Sequence, residues 1–389
     1  MTHETKRSWL YLLHKAVIIS RLQTSYKFLR LNFQYDLSQT FETQDKKSED
    51  GYKFTDSVTN YEIKFTSDIS EIIEFYNYNH TDISTFGAYL EPRLPIESES
   101  TYKTNDQLNK SYQLSSRLSS TSSTSNPKYK VSVVIPCYNE TKRLGKMLDE
   151  SIEYLEKYHH NDYEILIVDD GSSDGTSKYA IKLANQHNLE PHIMKVIQLA
   201  KNRGKGGAVT HGILHSQGKY SLFADADGAT QFSDISKLLE FLESTNSNEA
   251  AIAIGSRAHM VNTDAVVKRS MIRNFLMYGL HTLVYIFGIR KIQDTQCGFK
   301  MFNTKAIKGI FPHMHTERWI FDVEVLLLGE LQNMKMKEVA VNWQEIDGSK
   351  IDIARDSIEM AIDLVVTRLA YLFGIYKLDE CGRIDKKNQ

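Results

Sequence analysis

The chain from Lys130 onward predicts an α/β domain, a mostly parallel sheet with helices packed on both faces. Three observations predict it. Short β-branched runs alternate with segments whose apolar residues recur every three or four positions. The runs are apolar throughout, as expected of strands covered on both faces. Each run also ends in polar residues and glycine, and open α/β sheets bind ligands at the carboxyl ends of their strands.

The elements follow in order. "KVSVVIP", residues 130–136, is the first strand, and Leu144, Leu148, Ile152 and Leu155 mark a helix after it. "YEILIVDDG", residues 163–171, is the second strand, with a helix from about Thr176. "IMKVIQLA", residues 193–200, is the third, with a helix from about Gly206. "YSLFADAD", residues 220–227, is the fourth, and a helix from about Asp234 leads to the fifth, "AIAIGSR", residues 251–257.

Upstream the texture differs. Residues from about 35 to 126 are rich in Ser, Thr, Asn, Tyr and acids, and "SSRLSSTSSTSNP" reads as a flexible linker ending at Pro127. The expected division is therefore an N-terminal region over 1–126, a domain over 127–376 and a polar tail over 377–389. A formal charge of -2 and the lack of a basic arm exclude a nucleic-acid binder. Cys137, Cys297 and Cys381 form no close pair, which argues against a disulfide framework and structural zinc and fits a reducing compartment. No apolar run reaches the ~20 residues that span a bilayer. "WLYLLHKAVII" from Trp9, flanked by Lys6, Arg7, Arg21 and Arg30, fits a membrane-proximal helix near 9–31. Apolar stretches near 265–289 and 356–376 fit amphipathic helices at a membrane interface.

The five strand ends carry "PCYNE", "VDDGSSDGT", "NRGKGGAV", "DADG" and "GSRAH". Asp225 and Asp227 pose a problem, because two like charges one residue apart repel. Two hard oxygen donors at a strand end suit Mg²⁺ or Mn²⁺, which relieves the repulsion and can hold a diphosphate. Lys205 adds a cation in a glycine-rich loop near a helix start, a plausible phosphate cradle. Arg257, Lys268, Arg269 and Arg273 follow the fifth strand, and Arg269 and Arg273 share one helix face at i,i+4.

In order and spacing, "VSVVIPCYNE", "IVDDGSSDGT", "NRGKGGA" and "FADADG" resemble glycosyltransferase family 2, with its nucleotide-sugar-binding, Rossmann-like GT-A fold. Downstream, "GSRAHMVNTDAVVKRSMIRNFLMYGLHTLVYIFGI", "DTQCGFKMFN", "WIFDVE" and "DGSK" are similar to the members of that family that glucosylate dolichyl phosphate. The similarity covers about residues 130 to 376. It implies UDP-glucose as donor, dolichyl phosphate as acceptor, inversion at the sugar, and a site facing the cytosol at the endoplasmic reticulum membrane. Pro136, Tyr138 and Glu140 then bind substrate, and Asp169 or Asp170 accepts hydrogen bonds from uracil or ribose. Asp227 becomes the more direct metal ligand, ahead of Asp225. Asp294 acts at the acceptor, orienting its phosphate or assisting deprotonation, and the arginines take the lipid phosphate.

Two departures stand out. The family usually carries an N-terminal spanning helix, whereas the leading segment here is long and polar. Arg318 stands where the family more often has glycine; "ERW" is similar to an element of processive synthases, but His315 replaces its glutamine. N-x-S/T triplets begin at Asn79, Asn109 and Asn139, and the last lies inside a site motif, which fits a domain that meets no glycosylation machinery. Two rivals remain from residues alone: a dolichyl-phosphate mannose synthase using GDP-mannose, and an inactive nucleotide-sugar-binding scaffold.

Overall fold

The computed structural model describes residues 95–106, 110–117, 127–260, 289, 292–346, 359–372, 376 and 378, and the backbone alone of 53–55, 62–64 and 353–358. The chain divides into two units, Met1–Gly87 and Ala88–Gln389. In the first, β1 (Lys53–Thr55) pairs antiparallel with β2 (Glu62–Lys64).

The second unit opens with two short strands, β3 (Thr101–Tyr102) and β4 (Tyr112–Gln113), paired antiparallel. The elements then alternate: β5 (Tyr129–Cys137), α1 (Leu144–His159), β6 (Tyr163–Asp169), α2 (Thr176–Gln186), β7 (Met194–Gln198), α3 (Lys205–His215) and β8 (Gly218–Ala224). After them come α4 (Ile235–Ser244), β9 (Ala251–Ser256), β10 (Phe299–Asn303), α5 (Thr304–Ile310), α6 (Phe321–Leu331), β11 (Lys335–Ala340) and α7 (Ile353–Leu372). The α/β alternation predicted from sequence is the one observed, with strand ends moved by one to three residues.

Seven strands form one sheet in the order β11-β9-β10-β8-β5-β6-β7. Every neighbouring pair is parallel except the two that β10 makes, with β8 and with β9. This antiparallel strand matters for the site. It begins at the edge where its neighbours end, so residues 294–298 meet the loops after β8 and β9.

Side chains alternate across the sheet as strand geometry requires. Val131, Val133 and Ile135 of β5 and Ile165 and Ile167 of β6 pack beneath α1, α2 and α4. Val134, Leu166 and Val168 face the other way, toward α3, α5 and α6. Leu148 and Leu144 on α1 are fully buried; truncating such a side chain to Ala typically costs about 2–5 kcal/mol. Met360, Leu364 and Ala370 of α7 are also buried, so one face of that helix covers the core. No helix among the described residues is long and apolar enough to cross a membrane.

The division expected at residue 127 falls in the wrong place. Residues 95–106 and 110–117 run against the outer edge of β7: Lys103 and Val196 exchange backbone hydrogen bonds of 2.9 and 2.8 Å. The Thr104 hydroxyl donates to the Met194 carbonyl (2.9 Å), and Leu114 joins the core. Arg117, read as part of a flexible linker, donates to Ser216 and Ser221 Oγ, both at 3.2 Å, and its own N–H donates to the Leu214 carbonyl. An exposed sheet edge is a pairing hazard, and this strap covers it.

Candidate active site

The carboxyl edge of the sheet gathers the sequence motifs from the ends of β5, β6, β7, β8 and β9. The expected residues there fall into three groups.

The first is Asp225 and Asp227, just past β8. β8 ends because Asp225 leaves the ladder, although its N–H still donates to the Gly298 carbonyl at 3.0 Å. Their side chains are 35% and 25% exposed. Asp225 Oδ1 lies 2.7 Å from the Lys205 ammonium. Asp227 Oδ1 accepts from the Ala229 N–H (3.0 Å), and its Oδ2 lies 3.8 Å from Arg143. Burial and then the Asp225 charge push Asp227 above the usual carboxylate range. Burial opposes the Lys205 charge, but Asp225 and Asp322 outweigh it and hold the ammonium above its ordinary pKa. Gly298 makes the site possible: a Cβ there would sit 2.0 Å from Asp225 Oδ2.

The second group is Asp169 and Asp170 at the tip of β6, only 1% and 3% exposed. Asp169 Oδ1 accepts from the Ser172 N–H (2.8 Å), and its Oδ2 takes the Ser177 hydroxyl. Asp170 accepts from the amides of Arg203 (2.6 Å) and Gly204 (2.9 Å). Burial pushes Asp170 up to about 7 despite those two donors. Both carboxylates therefore hold this chain's own loops.

The third group is Arg257 and Asp294, which face each other through two parallel bonds, Nε to Oδ2 at 2.7 Å and Nη2 to Oδ1 at 2.8 Å. The Arg257 N–H also donates to Asp294 (2.9 Å), and the guanidinium lies 5.4 Å from the Trp343 ring centroid. Burial alone would raise Asp294, but Arg257 overrides it and holds the carboxyl below its usual range. Arg257 is raised in turn by the same bonds, against the burial that opposes its charge. An ionised carboxylate locked in such a pair is a poor proton acceptor.

Glu140 closes on Arg143 through bonds of 2.8 and 2.6 Å, and Tyr138 stands exposed beside it, with Pro136 half-buried. Asn139, at φ 52°, accepts from the N–H groups of Ser173 (2.9 Å) and Asp174 (3.3 Å) and ties the first loop to the second. Lys268, Arg269 and Arg273 lie outside the described residues, as does the apolar stretch near 265–288.

The glycine-rich loop has a use that sequence reasoning missed. A Cβ on Gly206 would meet Phe321 Cβ at 2.5 Å, and one on Gly204, at φ 83°, the Glu317 carbonyl at 2.5 Å. These glycines let the start of α3 close on residues 316–321, where Arg203 pairs with Glu317. Beneath Lys205, Lys300 forms a buried pair with Asp322 and donates to the Cys297 carbonyl at 2.8 Å. Arg318, singled out as a departure, pairs at the surface with Glu359 of α7 (2.9 Å). Arg143, Gly298, Lys300 and Trp343 were also missed. Gly298 and Lys300 lie inside the "DTQCGFKMFN" motif, but nothing in the sequence marks which groups they meet, and Arg143 and Trp343 stand alone in their stretches.

The family model that matches is glycosyl transferase family 2, over residues 132–311, from β5 to the end of α5. A dolichyl-phosphate beta-glucosyltransferase of Saccharomyces cerevisiae is 54% identical over 255 residues, 64% of this chain and 76% of that protein. Proteins of the same name from Dictyostelium discoideum and Homo sapiens are 47% and 44% identical, over 64% and 67% of this chain and 76% and 81% of theirs. Among solved structures, glucosyl-3-phosphoglycerate synthase from Mycobacterium tuberculosis, in complex with Mn²⁺, UDP and glucosyl-3-phosphoglycerate, has 16% identity and a TM-score of 0.42. The match covers 62% of this chain and 80% of that one. The chain belongs to glycosyltransferase family 2 and, within it, to the family of the dolichyl-phosphate beta-glucosyltransferases.

Proposed function

We propose that this chain transfers glucose from UDP-glucose to dolichyl phosphate, with inversion, giving the dolichyl β-D-glucosyl phosphate used in protein N-glycosylation. The name of its relatives supports dolichyl phosphate as the acceptor and glucose as the group transferred. The observation that carries the site is the partly exposed pair Asp225 and Asp227, whose oxygens are only partly engaged by this chain's own groups.

Those carboxylates fit Mg²⁺ or Mn²⁺. Among the described residues no cluster of three His, Cys, Asp or Glu side chains could enclose a metal. A small hard cation does not need one, since it is commonly held by one or two carboxylates, with phosphates and water completing the shell. When bound, the ion offsets the charge that grows on the UDP diphosphate as the glycosidic bond breaks. Lys205 lends a second positive charge on the same side. Arg143 braces Asp227 from the other side.

On the acceptor side, Asp294 fixes the Arg257 guanidinium rather than taking a proton. Little base is required, because a phosphate monoester loses its second proton near pH ~6. Arg257, joined by Arg269 and Arg273, then orients the lipid phosphate. One in-line displacement inverts the α-linked glucose, so no enzyme nucleophile takes part. The domain works on the cytosolic face of the endoplasmic reticulum membrane.

The test is an assay of the purified chain with dolichyl phosphate and a panel of UDP- and GDP-sugars, with and without chelator. Transfer from UDP-glucose that chelation abolishes and Mg²⁺ or Mn²⁺ restores is expected. Turnover of GDP-mannose with none of UDP-glucose would overturn the proposal.

A further inference from the structure

Glu99 is fully buried in the strap that covers β7. Its Oε2 accepts from the Ile96 N–H (3.1 Å), its Oε1 from the Ala200 N–H (2.9 Å), and its carbonyl pairs with His211 Nε2 (2.9 Å). Burial holds His211 down at about 3, so the ring is neutral and its Nε2–H donates to that carbonyl. One residue of the strap thus holds both ends of the segment 200–211. Between them lies Lys205, whose ammonium meets Asp225.

Covering an edge strand does not call for a buried carboxylate. The backbone pairing of Lys103 with Val196 does that already. A carboxylate out of water is costly unless hydrogen bonds compensate it, and here one of those bonds lands on the loop that leads to Lys205. Asp170 holds the same loop three residues further on, at Arg203 and Gly204.

We propose that Glu99 is a positioning residue of the donor site. It clamps the loop between β7 and α3 from outside the sheet, Asp170 clamps it from within, and together they aim Lys205 at Asp225. This rests on the donor-site reading above and extends it to the polar N-terminal region, which the sequence alone places outside the catalytic domain.

The experiment uses the full chain and two variants. Glu99→Leu keeps the volume and removes both acceptors, while Glu99→Gln keeps one acceptor for Ala200. Hydrogen exchange across 199–205 and titration of UDP in the presence of Mn²⁺ are measured on all three proteins. In Glu99→Leu, exchange should quicken across 199–205 and not in β5 or β6. Its UDP affinity should fall about tenfold, the scale of one hydrogen bond to a charged group. Its KM for UDP-glucose should rise while that for dolichyl phosphate stays unchanged, and Glu99→Gln should remain within about threefold of wild type. A folded Glu99→Leu with wild-type exchange and UDP affinity would overturn the proposal. So would a wild-type Ala200 amide that exchanges as fast as open loop amides, a result that needs no folded variant. A wild-type chain that binds no UDP overturns the donor reading instead, and the exchange comparison still decides whether Glu99 holds the loop.

Discussion

Two aspartate pairs end the strands on either side of β5, and they look alike in sequence: Asp169 and Asp170 after β6, Asp225 and Asp227 after β8. In the folded chain they are opposites. The β6 pair is buried and fully engaged, by Ser172, Ser177, Arg203 and Gly204. The β8 pair is a quarter to a third exposed, and its partners within 3 Å are the Lys205 ammonium and one backbone amide. A carboxylate surrounded by its own loop's N–H groups has its lone pairs taken. One that faces outward against a glycine and an ammonium keeps lone pairs for a ligand. On the function proposed above, the difference separates a pair that would build the site from a pair that would serve it.

The contrast breaks most sharply at Asp227. Asp227→Asn keeps the size and removes a charge, and loss of several kcal/mol of electrostatic stabilisation should lower kcat/KM by about a thousandfold. Circular dichroism and melting temperature should stay near wild type, since the side chain makes one internal hydrogen bond. Next in size is Gly298→Ala. Its Cβ would fall 2.0 Å from Asp225 Oδ2, so the carboxylate must turn away, and affinity for Mn²⁺ with UDP should drop about ten- to hundredfold. A wild-type affinity in that variant would show that the Asp225 position is not what matters.

Lys205→Met should act with opposite signs on two ligands. The ammonium competes for Asp225, so its loss should tighten Mn²⁺ binding without nucleotide by several-fold, roughly the worth of one nearby charge at partial exposure. UDP should bind more weakly. Weakening of both would make Lys205 a structural residue only.

The smallest effect on the metal is expected at Asp170. Asp170→Asn should leave Mn²⁺ affinity within about threefold and show itself in stability instead. The folded pKa of about 7 lies above the ordinary carboxylate value, so the native state holds the proton more tightly than the unfolded chain. The contribution of this group is fully present below about pH 4 and lost as pH rises to about 7. Chemical denaturation at intervals from pH 4 to 8 should show that decline in wild type and a flatter profile in the variant.

The strands were legible because β-branched runs such as "KVSVVIP" and "YEILIV" are long and uniform enough to leave few alternatives. The antiparallel β10 was not, since "FKMFN" is short and carries no sign of direction. The strap was misread because its strands have two residues each and its anchors, Glu99, Thr104 and Arg117, are polar residues that composition assigns to solvent. Both aspartate pairs were visible as motifs, but not the difference between them. That difference comes from residues 33 and 34 positions away for Asp170 and from Gly298, far downstream, for Asp225. Asp294 was visible too, yet only the fold shows that Arg257 takes both of its oxygens.

The central claim, that the outward-facing pair and not the buried one holds the cation with the nucleotide, is tested most directly by counting bound Mn²⁺ by electron paramagnetic resonance in the presence of UDP. Wild type and Asp170→Asn should each hold one ion per chain, and Asp227→Asn should hold none at the same concentrations. Retention of the ion by Asp227→Asn together with its loss in Asp170→Asn would contradict the claim.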